Sequence, residues 1–420
     1  MEIEQGDQVI VEQNGRHFVG VLMPSASDFI VVKLDSGYNV GFSPNTIKLK
    51  LLQKRTSTQG PTKLRPTRSE LPNISIISTG GTIASKIDYR TGAVTSQFDA
   101  DDIIDAIPEL AEVANIEGKL LYNILSENMK PELWTELSQC VFDEITRGVD
   151  GVIITHGTDT MGYSAAALSF ILKVPVPVVF VASQRSADRP SSDNVVNAVS
   201  AATVAISDIA EITAVMHENM SDDFCLVHRG TRLKKLHTSR RDAFKSVNAR
   251  PIARVHYPSR EIQLLDEYTP RGSSEISIKS TMEPKCALIK FYPGAEPYII
   301  DHFLSLDYKG LVIEGTGLGH VSNDWIPKIK MAVRNISVVM ASQCSFGTVN
   351  DRVYDTGRDL LKAGIIEAGD MLSETALVKL MWILGQTTNP EEIRALMRAN
   401  IAGEISADES RSVNTFEELP

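Results

Sequence analysis

The sequence predicts an α/β protein: a two-unit, parallel-sheet core preceded by a small all-β domain. Three patterns carry this. Between residues 73 and 216, short apolar runs alternate with stretches of helical period, the order expected of a parallel sheet covered by helices. From residue 283 a similar alternation begins again on a smaller scale. Ahead of both, residues 7–42 hold only short strand-like runs separated by tight turns.

In chain order, the runs at 9–12, 17–23, 29–34 and 38–42 are punctuated by Asn14-Gly15 and Asp35-Ser36-Gly37. Both are hairpin signals, because glycine and asparagine tolerate the positive φ that tight hairpin turns demand. Residues 1–53 therefore read as an SH3-like barrel, a docking surface or an inert cap, with nothing catalytic in it. Residues 54–70 lack a hydrophobic period and read as a linker. Lys54, Arg55, Lys63, Arg65 and Arg68 stand there without an acid before Glu70, so the segment either touches RNA phosphate or is simply solvated.

Residues 71–282 form the first core unit, with strands expected at 74–78, 119–124, 152–154, 176–182 and 212–216. Helices are expected at 131–146, where Leu133, Leu137 and Val141 recur four apart and Pro131 suits a first turn, and at 194–209. Residues 283–402 form the second, with strands at 286–291, 310–313 and 337–341 and helices at 297–304, 325–333 and 373–384. The remainder, 403–420, is acidic and serine-bearing and reads as a mobile tail.

Composition narrows the function. With 43% hydrophobic and 23% charged residues, the chain has an ordinary globular balance and no apolar run long enough to cross a membrane. Its first residues carry no secretory signal, so a cytoplasmic location is expected. Cys140, Cys225, Cys286 and Cys344 are too scattered for a metal site and suit reduced, buried thiols. A formal charge of −11 argues against a chain that coats nucleic acid. Gly315-Thr316-Gly317-Leu318-Gly319 lacks the last glycine of a dinucleotide loop, and no phosphate-binding P-loop motif occurs.

The chemistry points to two strand ends. Val152 to Ile154 runs into Thr155-His156-Gly157-Thr158-Asp159-Thr160-Met161, and the run at 74–78 leads into Thr79-Gly80-Gly81-Thr82-Ile83-Ala84. Each delivers a threonine to the carboxyl edge of a sheet, where ligands of α/β proteins bind. A threonine hydroxyl needs a neighbouring base to become a nucleophile, and Asp159 is placed to hold one, with lysine the natural choice. A lone threonine would be read as a cap or turn residue; two after two strands shift the reading towards catalysis.

These segments resemble the two signatures of the bacterial-type L-asparaginase/glutaminase family, in the family's order, and the likeness runs from about residue 71 to 402. It implies an asparaginase-like two-domain core in which Thr82, Thr158, Asp159 and Lys235 are catalytic. Thr82 is the favoured nucleophile, and Lys235, preferred over its neighbour Lys234, takes a threonine proton. Tyr89 falls where the family carries a lid tyrosine. Ser126 and Glu127 fall where it binds the substrate's α-carboxylate and α-amino groups, with glutamate replacing the family's glutamine. Asp188 is as readily structural as functional. Hydrogen-bonded packing is the better reading of His156 and His320. Arg352, Tyr354 and Asp355 lie in a stretch resembling the part that reaches across a dimer.

A small domain ahead of such a core resembles the ammonia-producing subunits of archaeal tRNA-dependent amidotransferases. That resemblance implies an E-type amidotransferase partner, which supplies ATP and Mg²⁺ chemistry, and Glu-tRNA(Gln) engaged through the complex, while this chain hydrolyses glutamine or asparagine without metal or cofactor. It also implies a homodimer at the centre of a heterotetramer. The alternatives are a free-standing L-asparaginase and a non-catalytic tRNA-binding scaffold.

Overall fold

Residues 73–78 alternate their side chains between two apolar layers and so determine where the main sheet lies. The computed structural model describes residues 3–4, 6–23, 25, 29–34, 39–54, 68–80, 86–87, 94–95, 107–185 and 191–406. The expected Asp35-Ser36-Gly37 turn, most of the basic linker, Thr82, Tyr89, Asp188 and residues 407–420 of the expected tail lie outside them. The first residues of that tail, 403–406, are instead held in the fold, because the Glu404 carboxylate is fully buried against the Lys379 amine.

The amino-terminal region is one antiparallel sheet of β1 (Gln8–Gln13), β2 (Arg16–Met23), β3 (Ile30–Leu34), β4 (Asn39–Phe42) and β5 (Lys48–Gln53), in the order β4-β3-β2-β1-β5. Asn14 and Gly15, at φ 49° and 75°, make the β1–β2 turn, as the Asn-Gly pair predicts. Val9, Val11, Val32 and Phe42 are its small core.

The main sheet begins with β6 (Asn73–Ser78). After the short antiparallel pair β7 (Lys86–Ile87) and β8 (Val94–Thr95) come β9 (Asn115–Leu120) and β10 (Gly151–Thr155). Next are β11 (Leu172–Lys173), β12 (Val178–Val181), β13 (Ile212–His217) and β14 (Phe224–Arg229). A separate hairpin of β15 (Leu233–Lys235) and β16 (Phe244–Ser246) follows, then β17 (Ala253–His256) and β18 (Glu261–Leu264). The eight-stranded order is β18-β17-β14-β13-β12-β10-β6-β9.

Its β13-β12-β10-β6-β9 half is parallel, and β14, β17 and β18 are antiparallel. The sheet is thus mixed, and its antiparallel edge lies beyond the last strand expected, at 216. The physical reason is the short connection: residues 218–223 cannot hold a crossover helix, so the chain must turn straight back.

Helices α1 (Pro131–Thr146) and α2 (Met161–Ile171) cover one face and α3 (Asn194–Ala205) the other. Val152 and Ile154 enter the first layer and Ile153 the second, the period-2 alternation of a strand buried on both sides. Residues 161–171 carry apolar side chains nearly all round, so their helix has no amphipathic pattern to betray it.

β19 (Ser277–Ile278) pairs with β11 on the way to the second unit. There β20 (Cys286–Lys290), β21 (Gly310–Gly315), β22 (Ser337–Ser342) and β23 (Ile366–Glu367) are all parallel, with α4 (Tyr298–Ser305), α5 (Trp325–Ala332) and α6 (Asp355–Ala363) on one face. The other face is closed by α7 (Ser373–Gln386), which also packs on α2; Trp382 and Phe170 stack with ring centroids 6.0 Å apart. Helix α8 (Pro390–Arg398), capped by the Asn389 side chain on the Glu391 amide, completes the unit. The two sheets therefore share one apolar layer through α7.

Candidate active site

β6 and β10 are adjacent and in parallel register, with Ser78 opposite Thr155, so both signature segments leave the sheet side by side. Thr79 seals the join: its amide and its hydroxyl both donate to the Thr155 carbonyl, at 3.1 and 2.9 Å. Gly80 has φ 109°, and a Cβ there would sit 2.3 Å from the Ile124 carbonyl oxygen. Gly157 is as constrained, since a Cβ would lie 2.6 Å from Ser126 Cβ. Glycine at both positions lets the three segments at 79–80, 124–126 and 157–158 converge.

At the mouth, Lys235 Nζ donates to Thr158 Oγ1 at 2.9 Å and to Asp159 Oδ1 at 2.7 Å. The lysine side chain is 15% exposed and the aspartate 66%. Asp159 therefore fixes the amine's direction more than it binds it, because water screens the exposed carboxylate. Lys235 arrives on the β15–β16 hairpin, with Leu233 inserted into the core beneath α2. Lys234, one residue back, points the other way and pairs with Glu374 at 2.8 Å. The amine that meets Thr158 is thus that of Lys235.

Ser126 is buried against Gly157, and its carbonyl accepts the Thr160 hydroxyl at 2.7 Å. Glu127 stands beside it, exposed to solvent. The positions of Thr82 and Tyr89 relative to these groups lie outside the described residues.

His156 is buried and hydrogen-bonded, as the packing interpretation expects. Its Nδ1 donates to the Gly157 carbonyl at 2.7 Å, while Nε2 accepts from Ser164 Oγ at 2.8 Å, which in turn accepts Trp134 Nε1–H at 2.9 Å. Burial pushes the imidazole down to about 4, so it stays neutral at pH 7. The arrangement has a steric consequence. With the Gly157 carbonyl turned inward, the Thr158 N–H on the same trans peptide points outward, and no acceptor among the described residues takes it. Ser164 and Trp134 sit in helices α2 and α1, where a sequence offers no sign that they meet.

In the stretch resembling a dimer-reaching segment, Arg352, Tyr354 and Asp355 are exposed while Asp351 is fully buried. Both Asp351 carboxylate oxygens lack a partner among the described residues, and burial with Glu367 nearby pushes this acid up to about 7. Its free value is near 4, so between about pH 4 and 7 the folded chain holds a proton the unfolded chain has lost, and stability falls as pH rises through that window. Asp351→Asn should abolish that slope and be more stable than the parent at pH 8 by about 2–4 kcal/mol. Urea denaturation at pH 5 and pH 8 checks it: the two proteins should differ far less at the lower pH. His320 makes an edge contact with Tyr354, ring centroids 5.2 Å apart, and its Nε2 is buried without a partner among the described residues, so its ring packs without the hydrogen bond expected of it.

A threonine at the end of a parallel strand, with a lysine amine on its hydroxyl and a second sheet unit docked behind, is the architecture of the asparaginase/glutaminase class. Known proteins of that class match this chain. Residues 73–268 match the asparaginase amino-terminal family, 285–397 the glutaminase/asparaginase carboxy-terminal domain, and 3–52 the GatD amino-terminal domain. The L-asparaginase of Thermococcus kodakarensis superposes with a TM-score of 0.72 at 33% identity, over 80% of this chain and 100% of its own. L-asparaginase I of Vibrio cholerae gives 0.69 at 27%, over 80% and 99%. Both lengths leave room for an added domain.

The fuller match is to the D subunit of glutamyl-tRNA(Gln) amidotransferase. That of Methanosarcina acetivorans is 56% identical over 97% of this chain and 99% of its own length, and that of Archaeoglobus fulgidus 52% identical over 96% and 95%. The chain belongs to the family of glutamyl-tRNA(Gln) amidotransferase D subunits.

Proposed function

We propose that this chain is the amide-hydrolysing member of a tRNA-dependent amidotransferase, releasing ammonia from glutamine or asparagine for a partner that converts Glu-tRNA(Gln) to Gln-tRNA(Gln). The observation that carries it is the Lys235 amine at 2.9 Å from Thr158 Oγ1, beside Asp159. One threonine oxygen, Thr82 by its signature, attacks the side-chain amide carbon. The Thr158–Lys235 pair moves the proton displaced from the hydroxyl towards the leaving nitrogen. The outward Thr158 N–H is a ready donor to the oxyanion that forms. Ammonia leaves, and water then splits the acyl-enzyme to give the free acid and restore the threonine.

Ser126 and Glu127 bind the substrate's α-carboxylate and α-ammonium, and Tyr89 closes over it. A glutamate gives the ammonium a full negative partner, which changes selectivity among amide-bearing amino acids. No metal or cofactor on this chain enters the step as drawn. ATP and Mg²⁺ act on the E-type partner, which activates the glutamyl carboxylate. A homodimer of this chain stands at the centre of the assembly, in the cytoplasm; among the described residues no helix is long and apolar enough to cross a membrane.

The test is ammonia release from glutamine and from asparagine by the chain alone and coexpressed with its partner, with and without Glu-tRNA(Gln). Hydrolysis that rises on adding the charged tRNA to the complex is expected. Fast asparagine hydrolysis by the isolated chain, indifferent to tRNA, would instead make it a free-standing asparaginase. Retention of full amidotransferase function after Thr158→Ala would leave only a scaffold.

A further inference from the structure

The hairpin that carries Lys235 takes no part in either large sheet. Among the described residues β15 pairs only with β16, along three residue pairs from Leu233–Ser246 to Lys235–Phe244, so no extended ladder there fixes its height over Thr158. Something else must. In a strand, alternate side chains face opposite ways, and here the alternation divides the two units. Leu233 and Lys235 face the first unit, with Gly162 of α2 so near the Leu233 carbonyl oxygen that a Cβ would sit 2.9 Å from it.

Arg232 and Lys234 face the second. Arg232 is 2% exposed and binds Asp370, at 3.0 Å to Oδ2, together with the Gly403 carbonyl and Ser406 Oγ. Lys234 binds Glu374 at 2.8 Å. Asp370 and Glu374 lie four residues apart where the chain enters α7, and between them Ser373 Oγ donates to Glu314 Oε1 at 2.5 Å, tying the same corner to the end of β21. Thr375 Oγ1 adds a bond to the Thr231 carbonyl at 2.9 Å.

We propose that the Lys234–Glu374 and Arg232–Asp370 ion pairs are positioning residues for amide hydrolysis. They hold β15 against the start of α7 from behind, so that the Lys235 amine meets Thr158 and Asp159 in front. The second sheet unit thereby sets the reach of an amine that acts on the first. This rests on the role given to Lys235 above. Arg232 is buried in the fold, so Lys234 and Glu374, both about three-quarters buried at the unit boundary, are the informative sites.

The experiment uses the full chain coexpressed with its partner. Lys234→Met and Glu374→Gln should each lower kcat for glutamine hydrolysis by about 10–100-fold, the scale of an ångström-sized misplacement, with KM and melting temperature nearly unchanged. Lys234→Arg, which keeps the ion pair, should retain most of kcat. The inference is overturned if Lys234→Met keeps full kcat, if its loss tracks a fall in melting temperature, or if Lys234→Arg is as damaged as Lys234→Met. Lys235→Met, assayed beside them, separates the two levels. Should it be fully active, the amide-hydrolysis reading falls and this inference with it; should it be inactive while Lys234→Met is normal, only the inference falls.

Discussion

Lys235→Met should lower kcat for glutamine by about 10²–10⁴-fold, the usual contribution of a positioned proton-transfer group, while KM moves little. The amine donates to Thr158 Oγ1 and Asp159 Oδ1, and methionine keeps most of the volume of the lysine stem, so the substitution removes the proton path without opening a large cavity. Lys235→Arg should fail almost as badly: a guanidinium preserves the charge beside Asp159 but does not give up a proton near neutral pH. Ammonia release measured at saturating glutamine, with circular dichroism to confirm the fold, decides it. An arginine variant with parental kcat would show that the position supplies charge alone.

Glu404→Ala should cost about 3–5 kcal/mol, because it strands a buried ammonium. Lys379 and Glu404 are both fully buried and 2.6 Å apart. The lysine also donates to the carbonyls of Met397 and Ala399, and the glutamate accepts the amides of Ile401 and Ala402. The pair therefore pins residues 397–404 to α7, and Thr231 and Arg232 then bind that same segment through the carbonyls of Ala402 and Gly403. Combining Lys379→Met with Glu404→Gln removes both charges and leaves an oxygen for the two amides, so the double variant should be more stable than Glu404→Ala. Urea unfolding of the two proteins measures the difference. A loss below about 1 kcal/mol in Glu404→Ala would mean that water reaches the lysine.

Much of this molecule was legible in advance, and for identifiable reasons. Strands β6 and β10 were readable because they are short, apolar and followed by glycine-rich polar segments. Helix α1 was readable because Leu133, Leu137 and Val141 hold a period. The Asn14-Gly15 turn was readable because its backbone needs positive φ at both residues. Helix α2 was hidden, since a helix buried all round loses its amphipathic pattern, and the antiparallel edge of the main sheet was hidden behind a polar loop.

By itself, then, the sequence determined the α/β class, the all-β region in front, and the two threonine-bearing strand ends, because local periodicity and turn chemistry write these into neighbouring residues. Its preference for Lys235 over Lys234 rested on a family resemblance alone, since one step of register exchanges them. Only the tertiary structure decided that Lys235 meets Thr158 while Lys234 meets Glu374, and that Asp351 is buried without a partner among the described residues. The reason is physical: which face of a strand looks inward, and which carboxylate loses its water, depend on segments more than a hundred residues away or on a packed layer that no local pattern encodes.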